Sequence, residues 1–498
     1  MKSKFVREQK RYTQENLRII FECTAERTVA IIKKLKEYGV LKAVKATDVQ
    51  RDMSDLIDKD IEVIDVEIGE NEFLYVFTFV GVITVSNCVL KCYPKYISNV
   101  APKTELKQII KVLERYNAKE QIIRMYNDSE ESNSFNLLSV MIYLLHDYYE
   151  NGAYTNTQDI IETNGSGEIL WDKTINETFT YLSNNRPYYT EMFTQKRIND
   201  DFDYFKRLHE SIVSICSSEL QDADLLDLFD ILPAEVSDEG LDDFGETDYI
   251  IYRIQNELNL QFNTRKQMLL KTIYAYIAHN KGLADIDCLT MFGTNSFNLV
   301  WEKVCSEVLD NQLQTPLGSL PISLTNGYNP NDLFISLIEK PKWNGCMQDG
   351  SEFQKIAKET LIPDLVSIHK VNNSHHLIIF DAKYYNIQLE QGKELRGQPG
   401  IGDITKQYLY QLAYKKFVND HGINDVKNCF LMPTEQQNVI VMGYVNIEML
   451  DALGLQNIQI RLLPAKLMYS YYLANEKMDI GLLRLKGDVG EYGRKSFI

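Results

Sequence analysis

The sequence predicts a multidomain α/β (α+β) protein in three parts. These are an N-terminal winged-helix-like and β region over 1–100, a mainly helical middle region over 101–284, and a C-terminal α/β domain over 285–498 with a mixed sheet flanked by helices. Three observations carry this reading. A chain of 498 residues is long enough for two to four domains. Amphipathic spacing at 3.6 residues dominates 100–220. Alternating or continuous apolar runs, the mark of strands, fall before residue 90 and after residue 360.

Over 24–38, Thr28, Ile31, Ile32 and Leu35 recur at helical spacing, and Gly39 stops the helix. Two alternating apolar stretches follow, 61–66 and 73–85, with Gly69-Glu70-Asn71 as the turn between them. Helix then hairpin is the winged-helix order. The helix carries Arg27, Lys33, Lys34 and Lys36, candidates for contact with DNA or a partner; a solvated helix face is the plain alternative. Residues 100–220 read as mostly helical, with amphipathic segments over 106–116, 135–149 and 205–216. The stretch 248–280 reads as one long helix stopped by Lys281-Gly282, and the C-terminal domain begins near Asp285.

Composition narrows the class. With 44% hydrophobic and 25% charged residues the chain is of ordinary soluble type. It holds no apolar run of eighteen residues, and Met1-Lys2-Ser3-Lys4-Phe5 opens without an apolar signal core, so the expectation is a cytoplasmic protein with no membrane contact. Eight cysteines at 23, 88, 92, 216, 288, 305, 346 and 429 form no C-x-x-C pair and have no histidines at zinc spacing; all read as reduced core residues. The net charge of −17 is unevenly placed. Residues 1–50 hold twelve Lys/Arg against six Asp/Glu, whereas 221–250 holds eleven acids and no base and reads as a solvated linker or a docking surface for a basic partner.

The chemistry concentrates at Leu361-Ile362-Pro363-Asp364 and, seventeen positions after Asp364, at Asp381-Ala382-Lys383. Leu365, Val366 and Ile368 follow the first acid, and Leu377, Ile378, Ile379 and Phe380 lead into the second, so both stand at strand edges. Side chains alternate along a strand, so Asp381 and Lys383 project from one face with Ala382 turned away. Hydrolysis of a phosphodiester needs a hard cation at the phosphate, and the oxygens of Asp364 and Asp381 suit Mg²⁺ (or Mn²⁺). Lys383 is placed to orient the attacking water, stabilise developing charge or act as a base. Neighbouring carboxylates raise its pKa, which favours the first two roles over the third, although the assignment stays open.

This arrangement resembles the PD-(D/E)xK nuclease superfamily, whose members often open their core with a helix that supplies a further acid. Apolar positions 297, 300, 301, 304 and 308 follow helical spacing, and Glu302 within them looks like that acid. The segment from Asp403 to Tyr414 resembles the Gln…Tyr helix of related nucleases, with Gln407, Gln411 and Tyr414 on one face. A narrower resemblance, to LlaJI-type restriction endonucleases and through them to the McrC nuclease subunit, is carried by several stretches. They are 343–385, the loop Gly397-Gln398-Pro399-Gly400-Ile401-Gly402, the helix from Asp403, 167–176, and 256–266.

The resemblance implies a restriction-endonuclease-like domain and a Mg²⁺-dependent endodeoxyribonuclease of a restriction, hence antiviral, system. It implies one part of a hetero-oligomer that acts on DNA with a separate AAA+ McrB-like GTPase. Asp364, Asp381, the Ala382 carbonyl and Glu302 would hold metal, Lys383 would assist the water, and Gln411 would position the site or touch phosphate. The absence of a G-x-x-x-x-G-K-[ST] loop agrees with nucleotide hydrolysis residing in another chain. Two alternatives stand beside it: a non-catalytic scaffold that stimulates an NTPase, and a defence nuclease acting on RNA or single strands. Other features read plainly: His375-His376 as a surface turn, Gly392–Gly402 as a loop beside the cleft with Asp403 as the next helix's N-cap, and His369 and Lys370 as weak phosphate candidates.

Overall fold

In the computed structural model, which describes residues 1–45, 73–127, 136–199, 203–279, 289–371, 374–423 and 425–485, hydroxyl caps set the first two helices. Strands β1 (Lys2–Arg7) and β2 (Arg11–Tyr12) precede α1 (Gln14–Phe21), where Thr13 and Asn16 form a reciprocal capping box. Thr24 caps α2 (Ala25–Glu37), whose Thr28, Ile31, Ile32 and Leu35 are buried as their spacing predicts. Strand β3 (Leu41–Lys45) then pairs antiparallel with β4 (Phe73–Phe77), Leu41 opposite Phe77, and β4 also pairs with β2. The expected strand 61–66 and its turn at Gly69-Glu70-Asn71 lie outside the described residues. The run 73–85, expected as one strand, is divided by Thr78-Phe79 into β4 and β5 (Val80–Val85), and the Thr78 hydroxyl donates to the Gly39 carbonyl at 3.1 Å. Strand β6 (Cys88–Tyr93) and helix α3 (Lys103–Asn127) follow.

Helices make up most of the described middle region, but five strands interrupt them. Between α4 (Leu137–Asn151) and α6 (Tyr204–Asp222) lie β7 (Thr157–Thr163), β8 (Glu168–Ile169), α5 (Trp171–Glu177), β9 (Thr180–Ser183), β10 (Arg186–Tyr189) and β11 (Phe193–Asn199). Strand β11 pairs antiparallel with β7 and β8, and β9 with β10. These strands leave Ile161, Tyr181, Leu182 and Tyr188 exposed, so they lack the one-sided apolar alternation that announces a strand. The missed signal was Asn184-Asn185: both take positive φ, 52° and 61°, as a two-residue hairpin turn requires. The long helix expected over 248–280 is two, α7 (Thr247–Leu260) and α8 (Thr264–His279), because the Asn263 side chain accepts from Lys266 N–H at 3.1 Å and caps a new start. Arg265 then pairs with Asp147 of α4 at 2.7 Å. The acidic stretch is no linker: Leu225, Leu228, Phe229, Ile231 and Phe244 are buried along it.

After β12 (Leu289–Thr294), helix α9 (Phe297–Val308) buries the expected 297, 300, 301, 304 and 308. An exposed hairpin, β13 (Lys342–Cys346) with β14 (Glu352–Ile356), leads to the main sheet. Strands β15 (Leu365–Val371), β16 (Ser374–Ala382), β17 (Asp425–Thr434), β18 (Ile440–Val445) and β19 (Ile458–Pro464) stand in the order β15-β16-β17-β19-β18. The sheet is mixed: β16–β17 and β17–β19 are parallel, the outer pairs antiparallel. Helix α10 (Ile401–Asp420) crosses between β16 and β17, as a parallel pair demands. It packs Tyr410, Tyr414 and Phe417 against Val366, Ile368, Leu377, Ile379 and Phe334. Helix α11 (Ala465–Ala474) closes the region, with Tyr469 edge-on to Trp301 of α9.

The chain divides into two compact units that interleave along the sequence. One comprises Met1–Ser3, Thr84–Val89 and Ser132–Phe292; the other comprises Lys4–Ile83, Leu90–Glu131 and Gly293–Ile498. This grouping follows space rather than the linear division at 100 and 284. Among the described residues no helix is long and apolar enough to cross a membrane. Cys88, Cys92, Cys216, Cys305 and Cys429 are buried, whereas Cys346 on β13 is exposed and Cys23 only half-buried, correcting the all-core expectation. Cys288 lies outside the described residues.

Candidate active site

Strand register brings the two motif acids together. Leu365 pairs with Phe380, so one further step along the antiparallel ladder sets Asp364 opposite Asp381. The Asp364 Oδ2 accepts from Ala382 N–H at 2.9 Å, which fixes that carboxylate across the strand ends. Asp381 is 4% exposed and shares its environment with Asp364 and Lys383. Burial first, then the hydrogen-bonded and negatively charged Asp364, push its carboxyl well above the usual carboxylate range. The close negative charge of Asp364 and the burial of Asp381 together favour a proton on Asp381.

Lys383 is pinned on two sides. Its Nζ stands 3.1 Å from Asp381 Oδ1 and 3.0 Å from Asp403 Oδ1. Burial acts to lower its pKa, but the Asp381 and Asp403 carboxylates outweigh burial and hold the ammonium above its ordinary range. A lysine so held orients and stabilises; it does not accept a proton at neutral pH. Glu302, half-buried on α9, has its pKa raised to about 7, by burial first and by the charge of Asp364 second, while Lys383 pulls the other way. Glu302, Asp364, Asp381, Lys383 and Asp403 therefore form one electrostatic cluster at the ends of β15 and β16.

Asp403 was expected to cap α10. Gly400 occupies that position, and Asp403 sits one turn in, free to reach Lys383. Its pairing is invisible in the sequence because nineteen residues of loop and helix separate the partners. Two further residues hold Asp364 in place. Asn311, just beyond α9, donates from Nδ2 to the Asp364 carbonyl at 3.1 Å and accepts at Oδ1 from Val366 N–H at 3.3 Å. Gln312 N–H donates to the Val366 carbonyl at 2.8 Å, and its Oε1 accepts from Ile368 N–H at 2.9 Å. Together they satisfy the open edge of β15 as a neighbouring strand would.

The Gln…Tyr helix supplies the back of the site. Gln407, Gln411 and Tyr414 are all buried, on one face as their spacing required. Gln407 donates to the Ile379 carbonyl at 3.2 Å. Gln411 is 6% exposed, and its Oε1 accepts from Gln456 N–H at 3.1 Å and from Asn428 Nδ2 of β17 at 3.5 Å. Tyr410 donates to the Ile362 carbonyl at 2.9 Å, two residues before Asp364. His376 pairs with Asp425 at 2.7 Å inside β16 and is no surface turn, while His369 bonds Ser367 in β15. Arg27, Lys33, Lys34 and Lys36 lie on α2, separate from this cluster, with Lys33 exposed and the others half-buried.

Among the described residues no group of three or more His, Cys, Asp or Glu side chains is poised around one ion. The candidate donors are the Asp364 and Asp381 carboxylates and the carbonyl of Ala382, whose N–H bonds Asp364. That set fits a cation that takes one or two protein carboxylates and completes its shell with solvent and phosphate, as Mg²⁺ does, and not one that requires a closed protein cage.

The model of the LlaJI restriction endonuclease family matches residues 79–466. A curated relative, the type II restriction enzyme BsuMI component YdjA of Bacillus subtilis (strain 168), is 27% identical over 410 residues, which cover 80% of this chain and 81% of the relative. Two solved structures are also similar. The Thermococcus gammatolerans half-complex of McrB AAA+ hexamers with bound McrC matches at 12% identity over 95% of this chain and 99% of that one, with a TM-score of 0.37. The McrBC complex of the same organism matches at 11% over 61% and 86%, with a TM-score of 0.25. Since the family match spans well over half of the sequence and takes in Glu302, Asp364, Asp381, Lys383 and Asp403, the chain belongs to the LlaJI restriction endonuclease family.

Proposed function

We propose that this chain is the DNA-cleaving subunit of a restriction system and hydrolyses phosphodiesters with the help of Mg²⁺ or Mn²⁺. The observation that carries the reading is the convergence of Asp364 and Asp381 on one point, with Lys383 3.1 Å from Asp381 and Glu302 facing Asp364. Asp364, Asp381 and the Ala382 carbonyl would hold the ion, and Glu302 would add a ligand or support a second one. Bound there, the cation would neutralise the scissile phosphate. The chain's own groups do the rest. Lys383, kept charged by its two carboxylates, orients the attacking water and offsets charge building on phosphorus. Asp403 holds that ammonium at the strand end. Glu302, with its pKa near 7, exchanges a proton within the working pH range.

A separate AAA+ GTPase is proposed as partner, for recognition and control of cutting. Support comes from the family resemblance, from the name of the BsuMI relative as one component of an enzyme, and from the missing phosphate-binding loop. The test is cleavage of long duplex DNA with Mg²⁺ by wild type and Lys383→Ala, each with and without the candidate GTPase and GTP. Cutting that requires the partner and vanishes in the variant is the expected result. A wild type that never cuts, whatever the base modification of the DNA, overturns the proposal.

A further inference from the structure

Behind the Lys383 ammonium lies a second, buried polar assembly that the proposed chemistry does not use. Tyr384, the next residue, is 8% exposed and donates its hydroxyl to Glu8 Oε2 at 2.5 Å. Glu8 follows β1 and is itself 5% exposed; the same oxygen also accepts from Lys95 N–H at 3.2 Å. Lys95 sets its ammonium 4.6 Å from the centre of the Tyr384 ring and donates to Gln9 Oε1 at 3.0 Å. Arg7 closes the backbone around it, donating to the Lys95 carbonyl at 2.7 Å. The Tyr384 ring then meets Tyr96 edge-on at 6.2 Å and Phe297, the first residue of α9, at 5.4 Å. The hydroxyls of Tyr96 and Tyr469 share a bond of 2.8 Å, Tyr469 packs on Trp301, and Trp301 Nε1 donates to the Leu431 carbonyl, which also accepts from Lys383 N–H at 2.8 Å.

Burying a carboxylate so far from water is costly unless its bonds are strong and geometrically fixed. Here those bonds converge on the residue that sets the backbone of Lys383 and on the helix that carries Glu302. We infer that Glu8 is a positioning residue for the nuclease site: through Tyr384 it fixes the Lys383 backbone, so that residues 4–12 and 90–97 are part of the catalytic unit. This rests on the nuclease reading above. The action is geometric, since Glu8 touches neither the carboxylate cluster nor the space in front of it. A carboxamide at position 8 still accepts from Tyr384 and Lys95; a methyl group accepts from neither.

The experiment compares Glu8→Gln, Glu8→Ala and Tyr384→Phe in the full chain, with its partner if cutting requires one. It measures kcat and KM for duplex DNA, Mn²⁺ affinity by calorimetry, and Tm. Misplacing a reacting group by about 1 Å costs roughly 100-fold in rate. The expected result is therefore a kcat lowered by about 10- to 100-fold in Glu8→Ala and Tyr384→Phe, an unchanged KM and Mn²⁺ affinity, and near wild-type rate in Glu8→Gln. Wild-type kcat in Glu8→Ala overturns the inference. So does a parallel loss of Tm, Mn²⁺ binding and rate in all three variants, which marks a purely structural role. A wild type that neither binds Mn²⁺ nor cuts removes the nuclease reading and this inference with it; a wild type that does both, with rates unchanged in the variants, removes the inference alone.

Discussion

Lys383, leaving β16, forms an ion pair with Asp403 of α10 at 3.0 Å, opposite its 3.1 Å pair with Asp381. The acid on α10 thereby shares the ammonium with a proposed metal ligand and sets which way it points. Replacing an outer partner of this kind costs about 10- to 100-fold in activity or metal affinity. Asp403→Asn is expected to lower the single-turnover cleavage rate in that range while leaving Tm nearly unchanged. An Asp403→Asn enzyme as fast as wild type would remove the orienting role.

Asp364 and Asp381 oppose one another across the end of β15 and β16, and Asp381 is almost fully buried. The fold tolerates that pair at a cost, which an isosteric amide relieves. Asp381→Asn should abolish cleavage yet leave the metal-free protein at least as stable, with Tm equal or a few degrees higher. A Tm several degrees below wild type would mean that the carboxylate supports the fold.

Glu302 and Asp381 both hold protons more tightly in the folded chain than carboxylates in water do. Cation binding must displace those protons, so apparent Mn²⁺ affinity should rise as pH increases from 6 to 8. Calorimetry in buffers of different ionisation enthalpy should report net proton release. In the absence of metal the stability effect has the opposite slope. Between the ordinary value of 4.5 and about 7, folded Glu302 binds a proton that the unfolded chain has released, so its contribution to stability falls as pH rises through that window. A Glu302→Gln variant should show a shallower slope in a denaturant series against pH, the remainder coming from Asp381.

Asn311 and Gln312 act as a short substitute strand along the open edge of β15. Removing the Asn311 amide leaves the Asp364 carbonyl and the Val366 N–H without their partners. A buried group stripped of its bond costs about 1–3 kcal/mol. Asn311→Ala is expected to lose stability in that range by urea denaturation and to cut more slowly, because the Asp364 edge loosens. Unchanged values for both would show that solvent replaces the amide.

Much of the candidate site is legible in the sequence. Asp364, Asp381 and Lys383 announced themselves because strand periodicity is local: one apolar run begins just after an acid and another ends at one, and alternation puts Asp381 and Lys383 on one side. The burial of 297, 300, 301, 304 and 308 in α9 followed from the same kind of local rule. The five strands of 157–199 escaped notice because they bury little on either face, so no apolar pattern records them.

What the amino-acid order determined by itself was the set of elements around the motif, their periodicity and the chemistry of the acids and the lysine. Each of these depends on neighbours within a few residues. Only the tertiary structure decided that Asp403 reaches Lys383, that Asn311 and Gln312 complete the edge of β15, and that Glu8 lies under Tyr384. Those pairings join residues far apart in the chain, and they exist because packing the sheet against its helices leaves buried polar groups that must find partners wherever the fold brings them.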